Sequence, residues 1–399
     1  MSHRRVSLAE LTSPLFLASR TEHTAGVIAR PLPEFDRRLP ELRAGSDFRE
    51  PEYRREVFLR FYEFHLRYRA HPGCVYYVMP WLRETLGWSE EQALWYAFLN
   101  GNTQHPPSSW LLFQNAETPR RAEQMLDWFH HPSVYPKLAF DTDRRHHKKV
   151  LAESVRHYTT WLDGRSQSRA IREVAKGGWP AMWKWASSLY SFGRLSAFSY
   201  LEYLRIMGIE FDCEDLMLED REGSRSHRNG LCIVLGRDDL DWHASNPRFN
   251  GQYSETTLRW LRREAEGLLT DMRRRAIGQP WAYDVSYFTL ESALCTYKSW
   301  HRVNRRYPNV YNDMLYDRLR NAERAWSGVS FELFWKARSD SLPVGLRLED
   351  NPFDPGCVPV KQNHYRTTGQ VIVMDHDWPC FSNDFASAVA AHAFGPRQR

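Results

Sequence analysis

Apolar residues recur every three to four positions in EPEYRREVFLRFYEFHLRYRA, residues 50–70, where Val57, Phe58, Phe61, Phe64, His65 and Tyr68 share one face. That period predicts an amphipathic helix. Similar patterns around 74–86, 89–99, 118–130, 146–162, 181–206, 254–275, 284–303 and 311–326, most separated by Gly, Pro or Asn, predict a mainly α protein. Strand alternation is confined to short pieces such as GQVIVMD at 369–375. The pattern also divides the chain. Residues 1–49 are rich in Pro and Arg with little period and predict an N-terminal arm, while the Pro, Gly, Asp and Asn of 342–399 predict an irregular C-terminal appendage. Between them, 50–341 is expected to form a single large helical domain. No internal repeat is visible.

Composition adds that the chain is globular: 399 residues, 42% hydrophobic and 26% charged, bury enough apolar surface to offset the entropy of ordering. The six cysteines lie far apart without a CxxC pair, so neither a zinc knuckle nor a disulfide framework is indicated. The opening MSHRRVSLAEL has no apolar run of signal-peptide length, and a cytoplasmic location is expected. Charge changes the picture more. The net charge is only +5, yet basic residues cluster as RRHHKK at 144–149, RRR at 273–275 and HRVNRR at 301–306. Such clusters suit a polyanion or serve as solvated faces. Arg273, Arg274, Arg275, Arg305 and Arg306 are the candidate DNA contacts. Sixteen Trp and nineteen Tyr fit either stacking on unpaired bases or an aromatic core.

Three polar constellations carry candidate chemistry. In FLNGNTQHPPSS, 98–109, Asn100 and Gly101 suit a left-handed helix cap and Pro106 a stop. The row Asn100, Asn102, Thr103 and Gln104 suits either a loop or the reading of a uracil-like edge. In GSRSHRNGLC, 223–232, Ser224 and Ser226 are cap-type residues before a helix, with Arg225, His227, Arg228 and Asn229 around its start. That is a ready anion site, or a capped helix paired to Glu219, Asp220, Asp238 and Asp239. In YDVSYFTLESALCTYKSWHRVNRRYPNVYNDMLYDRL, 283–319, helical spacing puts Tyr287, Glu291, Cys295, Lys298 and Arg302 on one face and Leu290, Leu294, Tyr297 and Trp300 on another. Glu291 and Lys298 are then a general base and a phosphate ligand, or ordinary surface charges. Cys295 is a nucleophile or a packing residue.

Read together, FYEFHLRYRAHPGCVYYVMPW, FLNGNTQHP, GSRSHRNGLC with GRDDLD, and TLESALCTYKSWHRVNRRYPNVYNDM resemble the bacteriophage amino acid:DNA transferases, or alpha-glutamyl/putrescinyl thymine pyrophosphorylases, nearest their second clade. The matching blocks cover roughly 50–325 in the same order. The resemblance implies DNA hypermodification. A DNA kinase first phosphorylates or pyrophosphorylates 5-hydroxymethyluracil in double-stranded DNA, and the transferase replaces that group with an amine, commonly an amino acid such as glycine. It further implies kinship with helical base-flipping DNA glycosylases, although no LPGVG-type helix-hairpin-helix turn is found here. On this scheme Glu291, His227 and Lys298 are catalytic, the Ser224–Asn229 stretch holds the phosphate, and the Asn100–Gln104 row reads the flipped base. No metal or cofactor is expected. The other reading is a DNA glycosylase or a DNA-binding module without transferase activity.

Overall fold

A computed structural model describes residues 5–7, 51–69, 74–218, 225–237, 240, 253–298, 314–342 and 370–372. The mainly α expectation holds. In chain order the described helices are α1 (Pro51–Tyr68), α2 (Val75–Thr85), α3 (Glu90–Thr103), α4 (Pro106–Asn115) and α5 (Ala122–His130). Then come α6 (Arg145–Lys149), α7 (Leu151–Leu162), α8 (Gln167–Ala175), α9 (Gly178–Ser188) and α10 (Arg194–Ile206). The last five are α11 (Arg225–Val234), α12 (Glu255–Arg275), α13 (Tyr287–Tyr297), α14 (Met314–Ala325) and α15 (Glu332–Ser341). Within GQVIVMD, β2 (Gln370–Ile372) pairs antiparallel with β1 (Arg5–Ser7), with Val6 opposite Val371. No described helix is long and apolar enough to cross a membrane.

The helices fall into two compact units, each assembled from separated pieces of chain. One comprises Met1–Pro72, Asp215–Asp313 and Leu342–Arg399; the other comprises Gly73–Glu214 and Met314–Ser341. In the first unit, α1 buries Phe58, Phe61 and Tyr62 against Leu231 of α11, Leu268 of α12 and Leu294 and Tyr297 of α13. Buried hydroxyls lock the register. Tyr62 donates to the carbonyl of Ser286 at 3.1 Å, and Tyr297 to that of Arg54 at 3.2 Å.

The second unit is organised around α3, which opens on a capping box. Ser89 Oγ accepts from the Gln92 amide, and Gln92 Oε1 accepts from the Ser89 amide at 3.0 Å. Its aromatic side stacks Phe98 on Tyr158 with ring centroids 4.0 Å apart. The sequence expectation for its end needs correcting. Asn100 and Gly101 are helical, and the left-handed cap is Gln104 at φ 48°. Gly101 lies within the helix because Tyr200 packs over it, 3.3 Å from where a Cβ would stand. Pro106 stands two residues past that cap, where a helix stop is expected. It occupies the first turn of α4, where a missing N–H costs nothing, behind a His105 cap whose Nδ1 accepts from the Ser108 amide at 3.2 Å. The 181–206 pattern divides at Leu189–Gly193 into α9 and α10, and the 146–162 pattern divides at Val150.

Candidate active site

The site in the first unit begins with a glycine. A Cβ on Gly230 would stand 2.2 Å from the carbonyl oxygen of Leu294, closer than real carbon atoms approach. Only glycine lets the α11 backbone rest on α13 there. His227 is three residues before Gly230 and Glu291 three before Leu294, so both project from the same side of the crossing. They meet at 3.0 Å, His227 Nδ1 to Glu291 Oε1. The start of α13 is fixed by Ser286, a cap that exchanges hydrogen bonds with Thr289.

The proton bookkeeping of this pair follows from its outer partner. His227 Nε2 lies 2.7 Å from the carbonyl oxygen of Leu216. A carbonyl only accepts, so Nε2 carries a hydrogen and Nδ1 is the atom shared with Glu291. Either an imidazolium faces a carboxylate or an imidazole faces a carboxylic acid; in both forms one proton lies between them. Glu291 is only 5% exposed, so the surface-charge alternative does not apply to it. One turn further along α13, Cys295 Sγ donates to Glu291 Oε1 at 3.6 Å. Lys298, just past the helix end, donates to Ser226 Oγ. Leu290, Leu294 and Tyr297 of the other expected face are fully buried, while Arg302 and Trp300 lie outside the described residues.

Five residues singled out in the sequence thus come together: Ser226, His227, Glu291, Cys295 and Lys298. Others go elsewhere. Arg228 turns inward, donating to the Leu218 carbonyl at 3.0 Å with its guanidinium 4.9 Å from the Tyr253 ring centre, and Asn229 is fully buried. Ser224, Arg305 and Arg306, and the side chain of Arg225, lie outside the described residues. Arg275 pairs with the buried carboxylate of Glu56 at 2.7 Å, whereas Arg273 and Arg274 are about half exposed and pair with Glu266 and Asp271 of their own helix.

In the second unit, the row expected to read a base edge forms an internal network. Asn102 Nδ2 donates to the Phe98 carbonyl at 3.1 Å, so its Oδ1 is the acceptor for Ser154 at 2.9 Å and for His147 Nδ1 at 3.2 Å. The other nitrogen of His147 then accepts from Ser196 at 2.8 Å. Thr103 and Ser109 share a hydrogen bond, and Ser109 donates to Asn100 Oδ1 at 3.0 Å. Asn100, Asn102 and Thr103 are fully buried, and only Gln104 of the four is partly exposed. Burial, with the Arg144 guanidinium second, pushes His147 down to about 3. Burial, with Arg318 second, does the same to His105. Both rings are neutral hydrogen-bonding parts. Nothing in the local sequence pattern joined His147 and Ser154 to Asn102, 45 and 52 positions earlier, or Ser196 to His147, 49 positions earlier.

Among known proteins, a serinyltransferase of Salmonella phage ViI is 28% identical over 276 residues, which is 66% of this chain and 66% of that relative. The chain therefore spans slightly less than two thirds of the relative's length. No solved structure matches. The family model described as amino acid:DNA transferase matches residues 75–307, which include the Gly230 crossing and the whole His227, Glu291 and Lys298 group. With more than half of its 399 residues matched, the chain belongs to the amino acid:DNA transferase family.

Proposed function

We propose that the protein attaches an amino acid to thymine-type bases of double-stranded DNA by displacing a phosphate or pyrophosphate from 5-(pyro)phosphomethyl-deoxyuridine. The observation that carries this reading is the buried His227–Glu291 pair with Lys298 and Ser226 beside it on the same two helices. The amine nitrogen forms a bond to the 5-methylene carbon, and the bond from that carbon to the phosphate oxygen breaks. Glu291 takes the proton that the amine must lose, and His227 holds that carboxylate in place. Lys298 with Ser226 stabilises the negative charge that develops on the departing oxygen. Neither step calls for an organic cofactor.

Chemistry on a base requires it to leave the stack, so flipping belongs to this reading. Gln104, the one partly exposed side chain of the Asn100–Gln104 row, is the member of that row best suited to meet a base edge. Glycine is the first amino acid to test, and the name of the phage ViI relative makes serine the second. The substrate is made by a DNA kinase acting beforehand, in the cytoplasm of a phage-infected host.

The test is nucleoside mass spectrometry of kinase-treated hydroxymethyluracil DNA after incubation with this protein and a panel of amines. A new aminoacyl-thymidine is expected. Abasic sites would instead mark a glycosylase, and unchanged DNA a binding module.

A further inference from the structure

The same helix crossing gathers three chemically different ligand atoms. His227, Glu291 and Cys295 each offer one, and all three lie within 4.8 Å of one another. Nitrogen, carboxylate oxygen and sulfur together match a borderline divalent ion such as zinc and disfavour magnesium or calcium, which require oxygen ligands. The supports are rigid. Glu291 and Cys295 are one turn apart on α13, and His227 is set by the glycine contact of α11 with Leu294. His227 is also oriented as ligating histidines are, its Nε2–H donated to a backbone carbonyl at 2.7 Å and its Nδ1 turned to the cluster.

We propose that His227 Nδ1, a Glu291 oxygen and Cys295 Sγ form a binding site for a zinc-class divalent ion, and that the ion replaces the proton shared by His227 and Glu291. The consequence rests on the function proposed above. An ion held on Glu291 removes the carboxylate that would receive the proton of the amine, so the metal-loaded protein is silent in amino acid transfer. Three protein ligands suffice for such an ion, whose fourth position is commonly taken by water.

The experiment uses the full chain, freed of metal with a chelator and titrated with cobalt(II) in the absence of DNA. Expected is an absorption of the thiolate-to-cobalt charge-transfer type, saturating at one equivalent and displaced by zinc. Cys295→Ser should abolish that absorption and Cys213→Ser should keep it, with circular dichroism confirming that both variants fold. No such absorption, or one that survives Cys295→Ser, overturns the site. A second arm measures transfer with chelated and zinc-loaded protein; loss on loading is expected, and unchanged or increased transfer overturns the replacement of the proton. Cobalt binding at Cys295 together with no transfer under any condition would leave the metal site standing and sink the proposed function instead.

Discussion

At the scale of single residues, Glu291 and His227 have separable duties. Glu291→Gln keeps the side-chain volume and loses the proton acceptor. Transfer should fall by roughly a hundred- to ten-thousandfold, the range for a positioned base, while affinity for phosphomethyl-uracil DNA persists. Gel-shift binding and single-turnover transfer, measured side by side, check this. Lys298→Ala should do the reverse, losing the preference for phosphorylated over unphosphorylated hydroxymethyluracil DNA. A second residue-scale expectation concerns acid stability. His147 is held at about 3 against an ordinary value of 6.5. The unfolded chain therefore binds a proton that the folded chain refuses, and stability falls as pH drops below about 6.5. By pH 5 the loss is about 2 kcal/mol per such histidine. Thermal melts between pH 7 and 5 should show a steeper decline for the native protein than for His147→Gln. Residues of this kind were only partly legible in the sequence. Glu291, Cys295 and Lys298 could be grouped because they share one helix. Their pairing with His227, 64 positions earlier, depends on a crossing that no local period encodes.

At the scale of elements, the crossing of α11 and α13 is the feature most open to test. Gly230→Ala places a methyl group where the Leu294 carbonyl stands. The helices must part, at a cost of about 1–3 kcal/mol, and His227 is drawn away from Glu291. A lower melting temperature and a larger fall in transfer than that fall in stability explains are expected. The end of α12 offers a contrast within three residues. Arg275→Ala removes one of the two arginines on the Glu56 carboxylate, which is 4% exposed and still held by Arg60 at 2.6 Å, and should destabilise by about 1 kcal/mol. Arg273 and Arg274 make only exposed pairs, and replacing them should leave the melt nearly unchanged. Sequence period located most of the helices because their buried faces are amphipathic. It missed α4, whose PPSSWLLFQN is buried on nearly every side, missed the short α8 and α15 as well, and ran α9 into α10 because both carry aromatic residues up to the Leu189–Gly193 break.

At the scale of the whole molecule, affinity for DNA should depend steeply on salt, since each phosphate neutralised releases counterions. Replacing Arg273 and Arg274 together by Gln should lower the log-log slope by about 2 if both touch the backbone. An unchanged slope would assign them to solvent. A different consequence lies in how the first unit is strung along the chain. Its hydroxyl locks join Tyr62 to Ser286 and Tyr297 to Arg54, separations of 224 and 243 positions. Most of the second unit, by contrast, is one continuous run from Gly73 to Glu214. On a ribosome α1 is made before the other described helices, yet it must wait for α13 before Phe58 and Tyr62 find their partners, and contacts so distant in sequence form slowly. Nascent chains stalled after Glu214 should therefore show α1 open to protease while α3 is already protected, and the earliest of the described helices to be synthesised should be among the last to be buried.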